Sequence, residues 1–246
     1  MAEVEDTHTL VNSVIDLKTM ADEQGAETTK STIEIDEYEL QIKVNPIYQQ
    51  YISRYNEFNL KNHLNLHLIK EQLWPNLTGF TLRGQDKINY RSDSLYFIDE
   101  SYWDYSDIEQ IEPHNNNYSI TFFHLGSNLS GHNGIVHGGL LATLLDELTC
   151  RLAFQNFESK KGVTANLNIN YRKPTYVDQY VIIKCIMIKK SGRKCWIKGQ
   201  VFKLPEASEV RDEFDHESND NLLTECEVLV IEPKWVHQLQ NKETQY

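Results

Sequence analysis

With 246 residues, 40% of them apolar, the chain can bury one sizeable core with pieces appended to it. A formal net charge of −12 argues against a general nucleic-acid binder, and no eighteen-residue window is apolar and free of charge, so no membrane span is expected. The charge is uneven, however: residues 1–45 carry eleven acids against three lysines and 206–220 seven acids against one arginine, which leaves the remainder at a formal +2 and an anionic substrate open.

In chain order, residues 1–45 are acidic and poor in aromatics, and most of this segment is expected to lack a packed structure, with a transient helix over 10–20. The acidic start has neither the Arg-rich character of a mitochondrial presequence nor the apolar stretch of a signal peptide, so the cytoplasm is the expected compartment. From Pro46 to Trp74, Ile47, Tyr51, Tyr55, Phe58, Leu64 and Leu68 recur at helical spacing, with Pro46 suited to a helix start. An irregular stretch with short strands follows to residue 105, which makes 46–105 a helical and irregular extension.

The main domain is expected over 106–236, with a short tail at 237–246. Tyr118–Leu125 is rich in β-branched and aromatic residues and reads as a strand. Gly131–Phe157 holds an apolar run too hydrophobic on every face for a surface helix, so it is expected to be a wrapped central helix. Val163–Tyr171 alternates strictly, which predicts Val163, Ala165, Leu167, Ile169 and Tyr171 on a core face against Thr164, Asn166, Asn168 and Asn170 on a polar one. Residues 180–189 and 195–204 flank Lys190-Ser191-Gly192-Arg193 as a hairpin, the acidic 206–220 reads as a solvated loop, and Leu222–Ile231 is a last strand. This is an α+β domain. Cys150, Cys185, Cys195 and Cys226 have no metal or disulfide spacing and read as reduced core residues, and the histidines show no ligand spacing, so no metal and no cofactor are expected.

The chemistry concentrates in the central run. His137-Gly138-Gly139 opens a helix whose first N–H groups lack intrahelical partners, where a developing oxyanion could be held. Asp146 interrupts the leucines, and a carboxylate on a core helix is costly unless it is paired or has work to do. Adjacent Glu147 points about 100° away and is expected to be paired or solvent-facing. Each of these has a plain structural alternative: a hydrogen-bond network for Asp146 and a tight turn for the glycines.

GHNGIVHGGLLATLLDE, followed by GVTANLNINYRKP and SGRKCWIKGQ, resembles the hotdog-fold thioesterase superfamily, in particular the THEM4 and THEM5 acyl-CoA thioesterases and their fungal relatives. The resemblance implies an antiparallel sheet around a central helix and hydrolysis of a fatty acyl-CoA thioester. It makes Gly138 the backbone donor to the thioester carbonyl, Asp146 the base or nucleophile, and Thr164 an assisting hydroxyl, although a β-branched strand residue needs no function. His137 is expected to shape the turn, with Gly139 and Asn133 beside the substrate. Lys190 and Arg193 could meet coenzyme A phosphates, although exposed turns are often basic for solubility alone. Mitochondria are the compartment the resemblance suggests.

Distance adds a constraint. Gly138 and Asp146 stand eight residues apart on one helix, about 12 Å, whereas a water between base and carbonyl needs each within roughly 3 Å. One helix cannot supply both, so a homodimer, possibly paired into a tetramer, is expected. A non-catalytic hotdog module binding acyl-CoA or a protein partner is the alternative, and a hotdog dehydratase or hydratase ranks last.

Overall fold

The computed structural model describes residues 37–62, 77–99, 107–109, 117–211 and 215–235. The acidic stretch before residue 37, the helical pattern beyond residue 62 and the C-terminal tail lie outside them. Among the described residues the α-helices are α1 (Glu37–Lys43), α2 (Pro46–Asn62) and α3 (Gly138–Gln155). The strands are β1 (Ile88–Arg91), β2 (Leu95–Phe97), β3 (Asp107–Glu109), β4 (Tyr118–Leu125), β5 (Ser130–His132), β6 (Ile135–Val136), β7 (Val163–Tyr171), β8 (Gln179–Ser191), β9 (Lys194–Lys203) and β10 (Leu222–Ile231). The main sheet is antiparallel in the order β1-β4-β8-β9-β10-β7; β2 also pairs with β4 and β3 with β8, while β5 and β6 form a separate ribbon. With α3 packed on one face, this is the α+β hotdog architecture, carrying N-terminal helices besides.

The leucines of α3 explain that packing. Leu140, Leu141, Leu144, Leu145, Leu148 and Leu152 are all buried, in one cluster with Phe123, Ile183, Ile197 and Val228 of the sheet. Burying a leucine fully is worth about 1.5–3 kcal/mol, so these six alone tie the helix to the strands. The helix packs tightly on Gly199 in β9, where a Cβ would lie 2.8 Å from both Cys226 Sγ and Leu145 Cδ2. Coverage is not complete all round, contrary to expectation. Ala142, Thr143 and Asp146 are only half-buried and form an open stripe on α3.

The opposite face of the sheet is covered too. Tyr118, Ile120 and Phe122 of β4 join Ile182, Ile186 and Leu204 in a second cluster with Ile42, Ile47 and Tyr51 of the N-terminal helices. All eight residues of β4 are therefore buried, as expected of a strand covered on both faces. Helix α2 begins at Pro46 as its sequence predicts, but α1 lies within the segment expected to be largely disordered. The reason is this apolar cluster, into which Ile42 is fully buried. Nor is the acidic 206–220 stretch merely solvated. His216 is 0% exposed, its Nε2 lies 3.2 Å from the Tyr51 hydroxyl, and Glu217 accepts from buried Lys184 at 2.5 Å. Local charge indicated solvent, and burial of Lys184 on the outer sheet face called for an acid.

Strand β7 runs over the nine residues read from the sequence, but its alternation is broken. Leu229 pairs with Asn166 whereas Val230 pairs with Thr164, so Ala165 is an extra residue in a β-bulge. The bulge turns Thr164 to the same face as Leu167, Ile169 and Tyr171, toward α3, and corrects its assignment to the polar face. β7 is an edge strand whose residues 163–166 are exposed. The β8–β9 hairpin is tighter than expected, with a two-residue turn at Gly192-Arg193 and Gly192 at φ 50°. Lys190 is consequently a strand residue, only 8% exposed.

Gly199→Val should destabilise the domain by about 1–3 kcal/mol, the typical cost of overpacking a core, because its methyls would drive into Leu145 and Cys226. The shift in urea midpoint measures this, and an unchanged midpoint would mean that α3 does not sit this close to β9.

Candidate active site

Helix α3 starts with His137 as its N-cap, and the ring Nδ1 accepts the Gly139 N–H at 2.8 Å. His137 therefore shapes the turn, and Gly139 has no N–H to spare. The Leu140 and Leu141 N–H groups return to the His137 carbonyl. The Gly138 N–H has no partner among the described residues, at the positive end of the helix dipole. A groove of about 510 Å³ opens beside it, lined by His132, His137, Gly138, Leu141, Tyr171 and Lys173 among others. The Tyr171 hydroxyl donates to the Gly138 carbonyl at 2.9 Å. A Cβ on Gly138 would meet the Tyr171 ring at 3.2–3.3 Å, so the nearest obstacle to a side chain there is that ring. Asn133 is exposed on the β5–β6 turn and does not line the groove.

Two turns along α3 is a second cluster. Thr164 Oγ1 donates to Asp146 Oδ1 at 2.7 Å, and Cys150 Sγ lies 2.9 Å from the same hydroxyl. The bulge in β7 makes this contact possible, since regular alternation would aim Thr164 away from the helix. Neither Asp146 nor Thr164 lines the Gly138 groove. Within one chain the structure thus brings Asp146 to Thr164, and Gly138 to His137 and Tyr171, but does not unite the two groups.

Glu147 belongs to neither. Its carboxylate pairs with Arg91 at 3.0 Å and Arg151 at 2.9 Å and accepts from Thr78. Burial opposes its ionisation, but the Arg91 charge, the Thr78 hydroxyl and Arg151 outweigh that cost and hold the carboxyl below its ordinary value. Lys190 and Arg193 sit at the other end of α3, where Lys190 lines a recess with Asn156 and Phe157 and Arg193 donates to the Glu232 carbonyl at 2.9 Å. Helix α3, whose 18 residues span about 27 Å, separates this end from Gly138 of the same chain. Tyr171 and Cys150 were read from the sequence as ordinary core residues. The signal for Cys150 was present, because it lies four residues after Asp146 and hence on the same helical face.

Residues 133–209, which include α3, Thr164 and the β8–β9 hairpin, match the family model described as thioesterase superfamily. Over these residues the chain is similar to the thioesterase superfamily. Among the relatives of this chain, a mitochondrial protein of uncharacterised function from Candida albicans is 29% identical over 79% of this chain and 76% of its own length. The MIOREX complex component 3 of Saccharomyces cerevisiae is 41% identical over 34% of this chain and 31% of its own. The acyl-coenzyme A thioesterase THEM4 of Mus musculus is 33% identical over 36% and 37% respectively. The match thus spans well under half the length of the latter two. The mouse thioesterase superfamily member 2 structure overlays at 15% identity with a TM-score of 0.37, covering 53% of this chain and 90% of that one. Among the described residues no group of three or more His, Cys, Asp or Glu is placed to hold a metal ion, and no helix is long and apolar enough to cross a membrane.

The ion pairs of Glu147 make a pH prediction. A carboxyl whose folded value is depressed contributes stability that is complete above its ordinary value of 4.5 and is lost as pH falls through the depressed value. Glu147→Gln should therefore lower stability at neutral pH and flatten its decline over the acid range below about pH 4.5. Urea midpoints across that range check this, and parallel curves for variant and parent would remove Glu147 from the acid response.

Proposed function

We propose that this domain hydrolyses a fatty acyl-CoA thioester at sites shared between two subunits. The observation that carries the reading is the division of one helix into two half-sites. An unpartnered N–H stands at Gly138, and a half-buried carboxylate held by Thr164 stands about 12 Å away. Neither half suffices for hydrolysis. Two copies with α3 helices antiparallel would place Gly138 of one chain against Asp146 of the partner subunit, twice over.

The face available for such pairing is continuous. It comprises the exposed edge strand β7 and the open stripe of Ala142, Thr143 and Asp146 beside it. An exposed edge also presents unpaired backbone groups that a second strand would satisfy.

In the reaction, the thioester carbonyl accepts the Gly138 N–H, and Asp146 of the partner subunit takes a proton from water as the water oxygen bonds to the carbonyl carbon. The oxyanion collapses, the C–S bond breaks, and the departing thiolate receives the proton from Asp146. Thr164 holds one carboxylate oxygen, leaving the other to the water. The mitochondrial Candida albicans relative and the similar mitochondrial membrane protein FMP10 of Saccharomyces cerevisiae support a mitochondrial location, in place of the cytoplasm expected from the acidic N-terminus.

Thiol release from a panel of acyl-CoAs tests the activity, and binding without turnover would favour a non-catalytic module. Asp146→Asn should cut turnover at least about 100-fold without unfolding the protein, since general-base assistance is typically worth 10²–10⁴; near-full activity would remove Asp146 from the mechanism. Gly138→Pro deletes the N–H at the first helical position, which tolerates proline, and His137 at φ −62° and ψ 126° already has the backbone a following proline requires. Mixing the two inactive variants should restore about a quarter of wild-type sites, because half of a random dimer pool is heterodimeric and each heterodimer holds one intact site. Heterodimers confirmed by mass spectrometry but devoid of activity would place the site within one subunit or strip Gly138 and Asp146 of these roles.

A further inference from the structure

The Thr164 hydroxyl that holds Asp146 is itself contacted by a third side chain. Cys150 lies four residues after Asp146 on α3, so both project from the same helical face toward β7. The Thr164 Oγ1 stands 2.7 Å from Asp146 Oδ1 and 2.9 Å from Cys150 Sγ. Neighbouring Thr149 does not compete, because its hydroxyl is spent on the Leu145 carbonyl at 2.7 Å.

Counting protons assigns the direction of each bond. A hydroxyl has one proton to give and lone pairs to receive, and an ionised carboxylate can only accept. The Thr164 proton therefore goes to Asp146, and the Thr164 oxygen is left to accept from the thiol. Burial pushes the Cys150 thiol up to about 11, partly offset by the Thr164 contact, so the sulfur keeps its proton at neutral pH and is available as a donor. The reverse assignment would exchange a charge-assisted bond for a weak sulfur acceptor.

We propose that Cys150 is a positioning residue: its S–H donates to Thr164 Oγ1 and so keeps the Thr164 proton on Asp146 Oδ1. The hydroxyl otherwise rotates between alternative acceptors, and each such rotation releases the carboxylate from its orientation toward water. Chains of hydrogen bonds also strengthen one another in a low-dielectric site. The consequence for turnover rests on the thioesterase reading; the hydrogen bond does not.

Two measurements on the full chain separate these claims. The infrared S–H stretch reports whether a thiol donates, and Cys150→Ala identifies the Cys150 band by its disappearance. Thr164→Val keeps the shape and removes the acceptor, so the Cys150 band should move to the higher frequency of a free thiol; an unmoved band overturns the proposal. In steady-state kinetics on the best acyl-CoA, Cys150→Ala should lower kcat about three- to tenfold at constant KM, the scale of one neutral hydrogen bond. Cys150→Ser, which keeps a donor, should recover to within about twofold, and Cys195→Ala, an equal loss of volume elsewhere in the core, should leave kcat unchanged. A serine variant no better than alanine, or a Cys195 variant as impaired, would reduce Cys150 to packing and overturn the positioning role. If wild type turns over no acyl-CoA, the thioesterase reading fails and the kinetic role with it, and the infrared band alone decides the bond.

Discussion

The burial of α3 against the sheet is the constraint on which everything else depends. A helix with leucine at 140, 141, 144, 145, 148 and 152 cannot remain in water, and only a surface as wide as β4, β8, β9 and β10 together can cover it. Close approach requires a strand position without a side chain, and Gly199 supplies it. Once the helix is seated, its first turn, its open stripe and the direction of every side chain along it are determined in relation to β7.

Adjacent acids on that helix meet opposite fates. Glu147 points toward β1 and is enclosed by Arg91 and Arg151, an arrangement in which its charge is compensated and its geometry held. Asp146, one residue earlier and about 100° around the axis, has Thr164 as its hydrogen-bond partner and is left half-buried. A carboxylate so placed keeps an oxygen for another molecule, whereas a carboxylate bound by two arginines does not. The helical rotation between neighbours thus separates a structural acid from one suited to chemistry.

The outer layer has a complementary role. Helices α1 and α2 cover the sheet face opposite α3, so strands such as β4 and β8 are buried on both sides and are far from solvent. Lys184 on that face would be costly without an acid, and the segment around Glu217 folds back to provide one, with His216 packed against Tyr51 and Phe202. The sheet is consequently open at β7, the strand beside Asp146.

Periodicity and turn residues carried much of this architecture in the sequence. The bounds of β4, β7 and β10, the start of α2 at Pro46 and the central helix were legible because each depends on interactions within a few residues: β-branched runs, proline at a helix start, and an apolar run too long for a surface. That Gly138 and Asp146 cannot meet within one chain also followed from sequence, since the rise of a helix is fixed by local geometry. What only tertiary structure decided was the orientation of side chains across elements. The bulge at Ala165 turns Thr164 toward Asp146, the tight Gly192-Arg193 turn draws Lys190 into a strand, and the burial of Lys184 recruits an acidic loop. Each depends on pairing between segments distant in the chain, and a one-residue change of register reverses the face on which a side chain lies while leaving the local pattern of residues the same.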